Sequence, residues 1–365
     1  NGLDRSADGD LSKQKRRVQI SLKWAACCVF NPAREQLAVL EVSLGWAREL
    51  SDPRSVVRCL CWMAWLSHVV GEQQRAVTLY EQALASSDAL HDDALVAQIH
   101  ANIGLSYAMA ARYDEARAAL STSVSRRKRA DASGNSQGTT PNVAGGGYGY
   151  TLAYLGMIAG ERGEFEEAYR SLKQALTIVE ATGRLALIGA VLTLRAMVES
   201  WQHDWPACAR TASEVHSIAE RVNGGYLRAM SQTLSGAARV IGQADHDGIE
   251  VLRASVEWLD VHQILLSMSW NEAWLAEGLL ALGRHDEAEH HARRALARRD
   301  QWDALGEAAA HRVLAGVSLV RDGDTSRAQL ALENARMCAH NKGSRRELAL
   351  IDLQSSQARA RHQRC

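Results

Sequence analysis

The sequence predicts an all-α fold: a right-handed α-solenoid of about eight helical hairpins followed by a terminal helix. Three observations predict it. Strong helix formers such as Ala, Leu, Arg and Glu dominate the 365 residues, which include only 4 Pro. No run of alternating apolar and polar residues indicates a strand. A repeated pattern also recurs at a spacing of 40 residues along almost the whole chain.

The repeat is clearest in four segments that begin at positions 71, 111, 163 and 283. Each has a turn residue, a polar stretch, and then an alanine followed by apolar positions at helical spacing. Weaker copies fill the intervals, and the aligned residues are Gln36, Ala76, Ala116, Ala168, Cys208, Gly248, Ala288 and Ala328. Successive members differ by 40 residues, except for one step of 52. One period therefore organises the chain, interrupted by an insertion of 12 residues, the difference between 52 and 40.

The repeat divides the chain into segments in a fixed order. Residues 1–15 precede the first copy, and we expect a disordered or linker segment there. Residues 126–149 contain the insertion, whose Gly, Ser, Thr and Asn content cannot bury enough apolar area to order a loop. The predicted order is a linker at 1–15, hairpins 1–3 at 16–125, a flexible insertion at 126–149, hairpins 4–8 at 150–343, and a capping helix or the start of a ninth hairpin at 344–365.

Within each hairpin, a first helix precedes a tight turn and a second helix follows it. Glycine occupies most of the turn positions, as expected for a residue in the left-handed conformation after a helix C-terminus. The predicted turns are at Gly71, Ala111, Gly163, His203, Gly242, Gly283 and Gly323.

Segments such as GEFEEAYRSLKQAL, from Gly163, resemble the tetratricopeptide repeat. That repeat is usually about 34 residues long. The 40-residue form is similar to the helical tails of bacterial regulators of the MalT and AfsR type, and of class III cyclases fused to an ATPase module. Residues 246–316, which include LAEGLLALGRHDEAEHHARRAL, look most like the cyclase–ATPase tails. The resemblance implies a tail that senses a ligand or partner and restrains a catalytic or DNA-binding module.

Charge and hydropathy exclude several classes of partner. Lys plus Arg and Asp plus Glu both number 42, and this balance argues against nucleic acid or an anionic membrane as the main partner. No apolar stretch approaches the length of a membrane-spanning helix. An odd count of 7 cysteines indicates free thiols in a reducing cytoplasm rather than a disulfide framework. Because the chain begins at Asn1, we expect it to be a piece of a longer cytoplasmic protein.

The sequence contains no recognisable catalytic motif. The three glycines at 145–147 are not followed by the Lys and Ser or Thr of a phosphate-binding loop. His285 and Glu289 share a helix face, but the two-histidine metal motif is missing. Cys59 and Cys61 do not have zinc-finger spacing. We therefore expect neither an enzyme nor a cofactor or metal site. The basic run at 126–129 fits either a solvated helix end or a contact with an acidic partner.

Family analogy places the binding groove on the first helices of the hairpins. The partner is expected to be a protein or peptide, or the protein's own upstream domains, and a homodimer is left open. Large apolar side chains in the groove suit an amphipathic helix. The predicted groove residues are Arg58, Trp65, His68, Met109, Tyr150, Met157, Met197, Trp201, Arg239, Trp270 and Glu277. The remaining tryptophans are expected to pack between hairpins: Trp24, Trp46, Trp62, Trp205, Trp258, Trp274 and Trp302.

Two functions fit these observations. The first is the C-terminal sensor and scaffold region of a larger bacterial signalling protein. The second is a free-standing adaptor that binds a peptide or helix in its groove. An enzyme or metal protein is a remote third alternative, because the motifs for either are missing from the sequence.

Overall fold

The structure is a computed structural model that describes residues 2–28, 34–87, 90–132 and 147–362, and every regular element in these segments is helical. The helices pair in chain order. Hairpins 1–4 are α1 (Gly2–Cys27) with α2 (Glu35–Glu49), α3 (Pro53–Val69) with α4 (Gln73–Ser87), α5 (Asp93–Met109) with α6 (Tyr113–Ala132), and α7 (Gly147–Glu161) with α8 (Phe165–Glu180).

The second half of the chain continues the same pairing. Hairpins 5–8 are α9 (Leu185–Trp201) with α10 (Trp205–Val222), α11 (Gly225–Gln243) with α12 (Gly248–Val261), α13 (Met268–Ala281) with α14 (His285–Ala297), and α15 (Glu307–Val320) with α16 (Thr325–Lys342). A short 3-10 helix, Arg299–Gln301, lies between α14 and α15, and α17 (Arg345–His362) follows as a single terminal helix. In the segments described, no helix is both long and apolar enough to cross a membrane.

The helices form two layers. Each odd-numbered helix packs against its even-numbered partner and also against the odd-numbered helices before and after it. The even-numbered helices contact mainly the odd-numbered helices beside them. The odd-numbered helices thus form the inner layer of a solenoid and the even-numbered helices the outer layer. This arrangement confirms the all-α solenoid of eight hairpins and a terminal helix.

The 40-residue series marks where the two helices of each hairpin touch. All eight of its residues lie on second helices and are buried, from Gln36 in α2 to Ala328 in α16. Six of them are alanine or glycine, whose small side chains allow close approach of the helices. The period in the sequence is therefore the period of the helix contacts.

The hairpin turns follow the prediction at six of seven positions. Positive φ angles occur at Gly71, Gly163, Gly283 and Gly323, and also at the two predicted turn residues that are not glycine. The exception is the sixth hairpin, where α11 continues to Gln243 and Ala244 takes the left-handed conformation. Gly242 is small for another reason: a Cβ there would lie 2.5 Å from Cγ of Trp205.

The solenoid closes on itself after about four and a half hairpins. The turn of the second hairpin meets the segment between α12 and α13, where the Leu265 amide donates to the Val69 carbonyl at 3.0 Å. One hairpin further on, the Ala304 amide donates to the Met109 carbonyl at 3.3 Å. At the next step the Ser344 hydroxyl donates to the Glu161 carbonyl at 2.7 Å. These contacts cover much of the inner layer with the chain's own segments.

Two predicted boundaries need correction. Helix α1 begins at Gly2, so the stretch expected as a linker, 1–15, is helical from its second residue. The expected loop at 126–149 is shorter than predicted, because α6 extends to Ala132 and α7 begins at Gly147. The basic run at 126–129 belongs to α6, where Arg126 pairs with Asp93 at 2.8 Å. Positions 133–146 of the insertion lie outside the described residues.

Candidate binding cavity

A cavity of about 350 Å³ opens on the inner layer near the C-terminal end of the solenoid. Its walls come from the first helices of hairpins 5–8, from the start of α10 and from α17, six helices that meet because the solenoid curves inward. Three of the eleven predicted groove residues line it: Trp201, Trp270 and Glu277. Trp205 and Trp274, expected to pack between hairpins, line it as well.

Four tryptophans provide most of the aromatic surface of this cavity, which we call the tryptophan cavity. Trp270 and Trp274 are one helical turn apart on α13, and their ring centroids are 4.2 Å apart. Trp205 begins α10 and meets Trp274 edge-on at 6.0 Å. Trp201 is the last residue of α9. The guanidinium of Arg346 lies over its ring, 5.4 Å from the ring centroid. Nε1 of Trp270 is buried and has no hydrogen-bond partner among the described residues.

Four charged residues complete the lining, and they are already paired. Arg312 of α15 donates to Glu277 at 2.6 Å and to Glu347 at 2.8 Å. Arg346 donates to Glu347 at 2.8 Å and to Glu161 of α7 at 2.6 Å. The cavity therefore presents no unbalanced charge to a ligand.

Burial and ion pairing shift the pKa values of Glu347 and Arg312 in opposite directions. Burial favours the protonated form of Glu347, but the guanidinium groups of Arg312 and Arg346 outweigh it and hold its pKa well below the usual range. Burial disfavours the charged form of Arg312, yet Glu347 and Glu277 raise its pKa further above the usual value. Burial and the nearby Arg346 charge lower the pKa of His203.

The remaining predicted groove residues do not share this cavity. Trp65 and His68 lie in the core of the second hairpin with their ring centroids 5.6 Å apart. Nδ1 of His68 lies 2.6 Å from Oε1 of Gln73, and the ring is buried. Burial lowers the pKa of His68 to about 4, although the Gln73 hydrogen bond opposes the shift. These residues pack the interior of the closed solenoid.

A second space of about 20 Å³ lies deeper in the inner layer. Met109, Tyr150 and Met197 line it, and Tyr154 meets Tyr150 edge-on with ring centroids 5.1 Å apart. It is about the size of one water molecule. These three predicted residues thus meet one another but leave no room for a peptide.

The last three predicted residues lie apart from both spaces. Met157 is fully buried on α7. Arg239, near the end of α11, pairs with Asp245 at 2.7 Å. Arg58 is half-buried on α3, and burial together with the Arg54 charge lowers its pKa. The structure therefore places the eleven residues in several different surroundings, rather than along one continuous groove.

The sequence reasoning missed the residues that α17 contributes. Arg346, Glu347 and Gln354 line the cavity, although α17 was expected only to cap the solenoid or begin a ninth hairpin. Its first turn carries two arginines and a glutamate at 345–347, a cluster that signals ion pairing. The partner Glu161 is 185 residues from Arg346, a distance that the repeat alone does not bridge.

Comparison with known proteins gives little further information. No known family profile matches the chain, and no curated protein matches it. A solved structure from Pyrococcus horikoshii, a signal transduction ATPase with numerous domains that has a tetratricopeptide repeat sensor, is similar with a TM-score of 0.40 and 13% identity. The match covers 89% of this chain and 53% of that one, so this chain spans about half its length. A structural similarity as weak as this one supports no inference about function.

Proposed function

We propose that the chain is a non-catalytic interaction module that binds an amphipathic helix or peptide of a protein partner in the tryptophan cavity. One observation carries the proposal: four tryptophans line a single cavity whose charged side chains already pair with one another. Such a surface offers aromatic and aliphatic area to an incoming group. Apolar side chains on one face of a helix are the groups that such grooves accept.

Size and residue type agree with this occupant. About 350 Å³ is at the small end of the range for ligand pockets, and it suits one or two large side chains. Tryptophan and arginine are also the residues most enriched among the energetic anchors of interfaces. The partner's anchor is therefore expected to be aromatic or aliphatic.

We further propose that this module is the sensor region of a larger cytoplasmic bacterial signalling protein. The support is the resemblance of residues 246–316 to cyclase–ATPase tails and of the 40-residue repeat to MalT- and AfsR-type regulators. The partner would then be another module of the same protein. The alternative is a free-standing adaptor with a separate partner. An open reading frame that encodes an ATPase module in continuity with this chain would favour the first, and its absence the second.

Peptide selection tests the cavity itself. A phage-displayed library of random peptides would be panned against the purified chain, and the bound peptides titrated against an Ala309→Phe variant. Ala309 lines the cavity, so the new ring should fill it. We expect selected peptides to carry large apolar residues at helical spacing. Their affinity for the variant should fall at least about tenfold, or roughly 1.4 kcal/mol.

Ala297→Phe is the matched control, because Ala297 is exposed on α14 and does not line the cavity. It should bind the selected peptides as the unchanged chain does. Equal binding by both variants would place the peptide site elsewhere and contradict the proposal. Circular dichroism and the melting temperature would show that both variants remain folded.

A further inference from the structure

Three side chains with metal-binding atoms meet between α15 and α16, on residues that do not line the tryptophan cavity. Glu307 and His311 are four residues apart on α15 and so share one face of that helix. Cys338 lies on α16, the second helix of the same hairpin. One carboxylate oxygen, one imidazole nitrogen and the thiol sulfur all lie within 4.8 Å of one another.

This donor set selects a particular class of ion. Calcium and magnesium prefer oxygen ligands and rarely take a thiolate. Zinc binds sulfur, imidazole nitrogen and carboxylate oxygen, at about 2.3, 2.0 and 2.1 Å. In a tetrahedral site such bonds place the ligand atoms about 3.5 Å apart. The three donor atoms lie within 4.8 Å of one another, so side-chain rotations would have to draw them closer to reach the spacing that zinc requires.

The surroundings of the two partly buried donors favour their neutral forms, so zinc has to displace the thiol proton when it binds. Burial lowers the pKa of His311, so its imidazole is neutral at pH 7 and keeps a lone pair for a metal. Burial and the neighbouring Glu307 carboxylate raise the pKa of Cys338 to about 12, so the thiol carries its proton when no metal is bound. The other charged groups near Cys338 are Lys342 on the same helix and Arg299 on the 3-10 helix.

We propose that Glu307, His311 and Cys338 bind one zinc ion, with the fourth coordination position open to water. The charges balance, because a thiolate and a carboxylate neutralise Zn²⁺. His311 and Cys338 are only partly buried, which leaves an approach from solvent. Arg299 bonds Oε1 of Glu307 at 3.1 Å, but its side chain is 70% exposed and is free to turn toward water.

Binding exchanges one bond for another. The S–H bond of Cys338 breaks, a Zn–S bond forms, and the released proton passes to the buffer. Glu307 and His311 coordinate without losing a proton. This balance predicts the release of one proton per zinc at pH 7, which calorimetry detects as a dependence of the binding heat on the ionisation enthalpy of the buffer.

No metal site was expected from the sequence, because the metal-binding motifs considered there are formed by residues close together in the chain. In this group, two ligands come from α15 and the third from a helix that begins after a tight turn, so the linear spacing matches no common zinc motif. The inference is also independent of the proposed peptide binding. Zinc at this position would join α15 to α16 without occupying the tryptophan cavity.

The test is a titration of the metal-free full chain with zinc against a chromophoric chelator, together with absorption spectra of the cobalt(II) form. We expect one zinc per chain and a thiolate-to-cobalt charge-transfer band in the near ultraviolet. Cys338→Ser should abolish the band. Cys338→Ser and His311→Gln should each weaken zinc binding more than about tenfold, because each removes a direct ligand.

Two matched variants separate this site from adventitious binding. Cys27→Ser removes an exposed cysteine of α1, and His340→Gln removes an exposed histidine two residues after Cys338. Both should bind zinc and cobalt as the unchanged chain does. Binding that survives in Cys338→Ser and His311→Gln, or that is lost equally in the two control variants, would overturn the proposal. No binding by the unchanged chain would overturn it too.

Discussion

The pKa of His68 shows how strongly burial inside the closed solenoid affects a single side chain. Its ring is 1% exposed and its Nε2 has no hydrogen-bond partner among the described residues. In water a histidine gains a proton near pH 6.5, whereas burial lowers the pKa of His68 to about 4. The folded protein therefore keeps this ring neutral over a pH range in which the unfolded chain protonates it.

This difference predicts a pH dependence of stability. Between pH 6.5 and 4 the unfolded state binds more protons, so the free energy of unfolding should decrease as the pH falls through this window. A shift from 6.5 to about 4 corresponds to about 3 kcal/mol for His68 alone. Urea unfolding at pH 7.5 and pH 4.5 would measure it. Most of this change falls between these two pH values, so the decrease should be smaller by about 2.5 kcal/mol in a His68→Gln variant.

His340→Gln is the control for that measurement, because His340 is exposed near the end of α16. It should leave the difference between the two pH values almost unchanged. Equal losses for the unchanged chain and the His68→Gln variant would mean that His68 titrates normally and is accessible to water.

At the scale of the helix, the close contacts depend on where small residues lie. Gly242 occupies the last turn of α11, where a Cβ would meet the Cβ and Cγ atoms of Trp205 at 2.6 and 2.5 Å. Those atoms lie near the backbone of Trp205, so they cannot move aside cheaply. Gly45 lies inside α2, and a Cβ there would meet nothing within 4 Å.

The two glycines should therefore respond in opposite directions to alanine. Gly242→Ala should lower the free energy of unfolding by about 1–3 kcal/mol, because overpacking displaces Trp205. Gly45→Ala should raise it by about 0.5–1 kcal/mol, because alanine has the higher helix propensity. Chemical denaturation of both variants measures the two changes. A stabilising Gly242→Ala would show that Trp205 is loosely held.

The elements also show what could be predicted from sequence. The residues at steps of 40 marked the contacts between the two helices of each hairpin. Six of the seven turns also lie where the repeat pattern placed them. Both features depend on residues that are close together in the chain, so a local pattern can predict them. The tryptophan cavity was found only in part. Trp201 and Trp270 were expected on one face, but their meeting with Arg346 depends on how far the solenoid curves. No local pattern specifies that curvature.

The groove prediction applied a general property of tetratricopeptide solenoids to a chain that closes more tightly. Trp65 was expected to face an open groove, yet it is only 8% exposed. Close by, the Val69 carbonyl accepts from the amide of Leu265, a residue four and a half hairpins later. The small rotation between successive hairpins accumulates along the chain, so a slight change in each step decides between an open and a closed inner layer.

At the scale of the whole molecule, a buried ion pair connects distant hairpins. Nζ of Lys342 lies 3.1 Å from Oε1 of Glu161, and their side chains are 4% and 1% exposed. Most repeat proteins hold each unit only through its neighbours. Here the fourth hairpin also depends on the end of the eighth.

Removing one member of this pair should weaken the closure. Lys342→Met leaves the Glu161 carboxylate buried with Arg346 as its remaining ionic partner. The cost should therefore lie below the about 3–5 kcal/mol of a buried charge that is left with no partner. We expect faster amide hydrogen exchange in α7 and at the start of α17, with little change in α2. Hydrogen exchange followed by mass spectrometry would locate the effect.

Lys173→Met is the matched control, since Lys173 is exposed on α8. It should leave exchange in α7 and α17 unchanged. Uniform acceleration along the whole chain in Lys342→Met would indicate general destabilisation rather than loss of the closure. Unchanged exchange would show that the ion pair contributes nothing to it.

The closing contact also sets a delay during synthesis. Lys342 follows Glu161 by 181 residues, and ribosomes add about 5–20 residues each second, so the contact becomes possible only about 10–40 s after Glu161 is made. During that interval Glu161 and the end of α7 lack the segment that covers them in the folded protein. This edge of the nascent solenoid therefore stays open until the last hairpin is made, and ribosome-associated chaperones would have time to bind it.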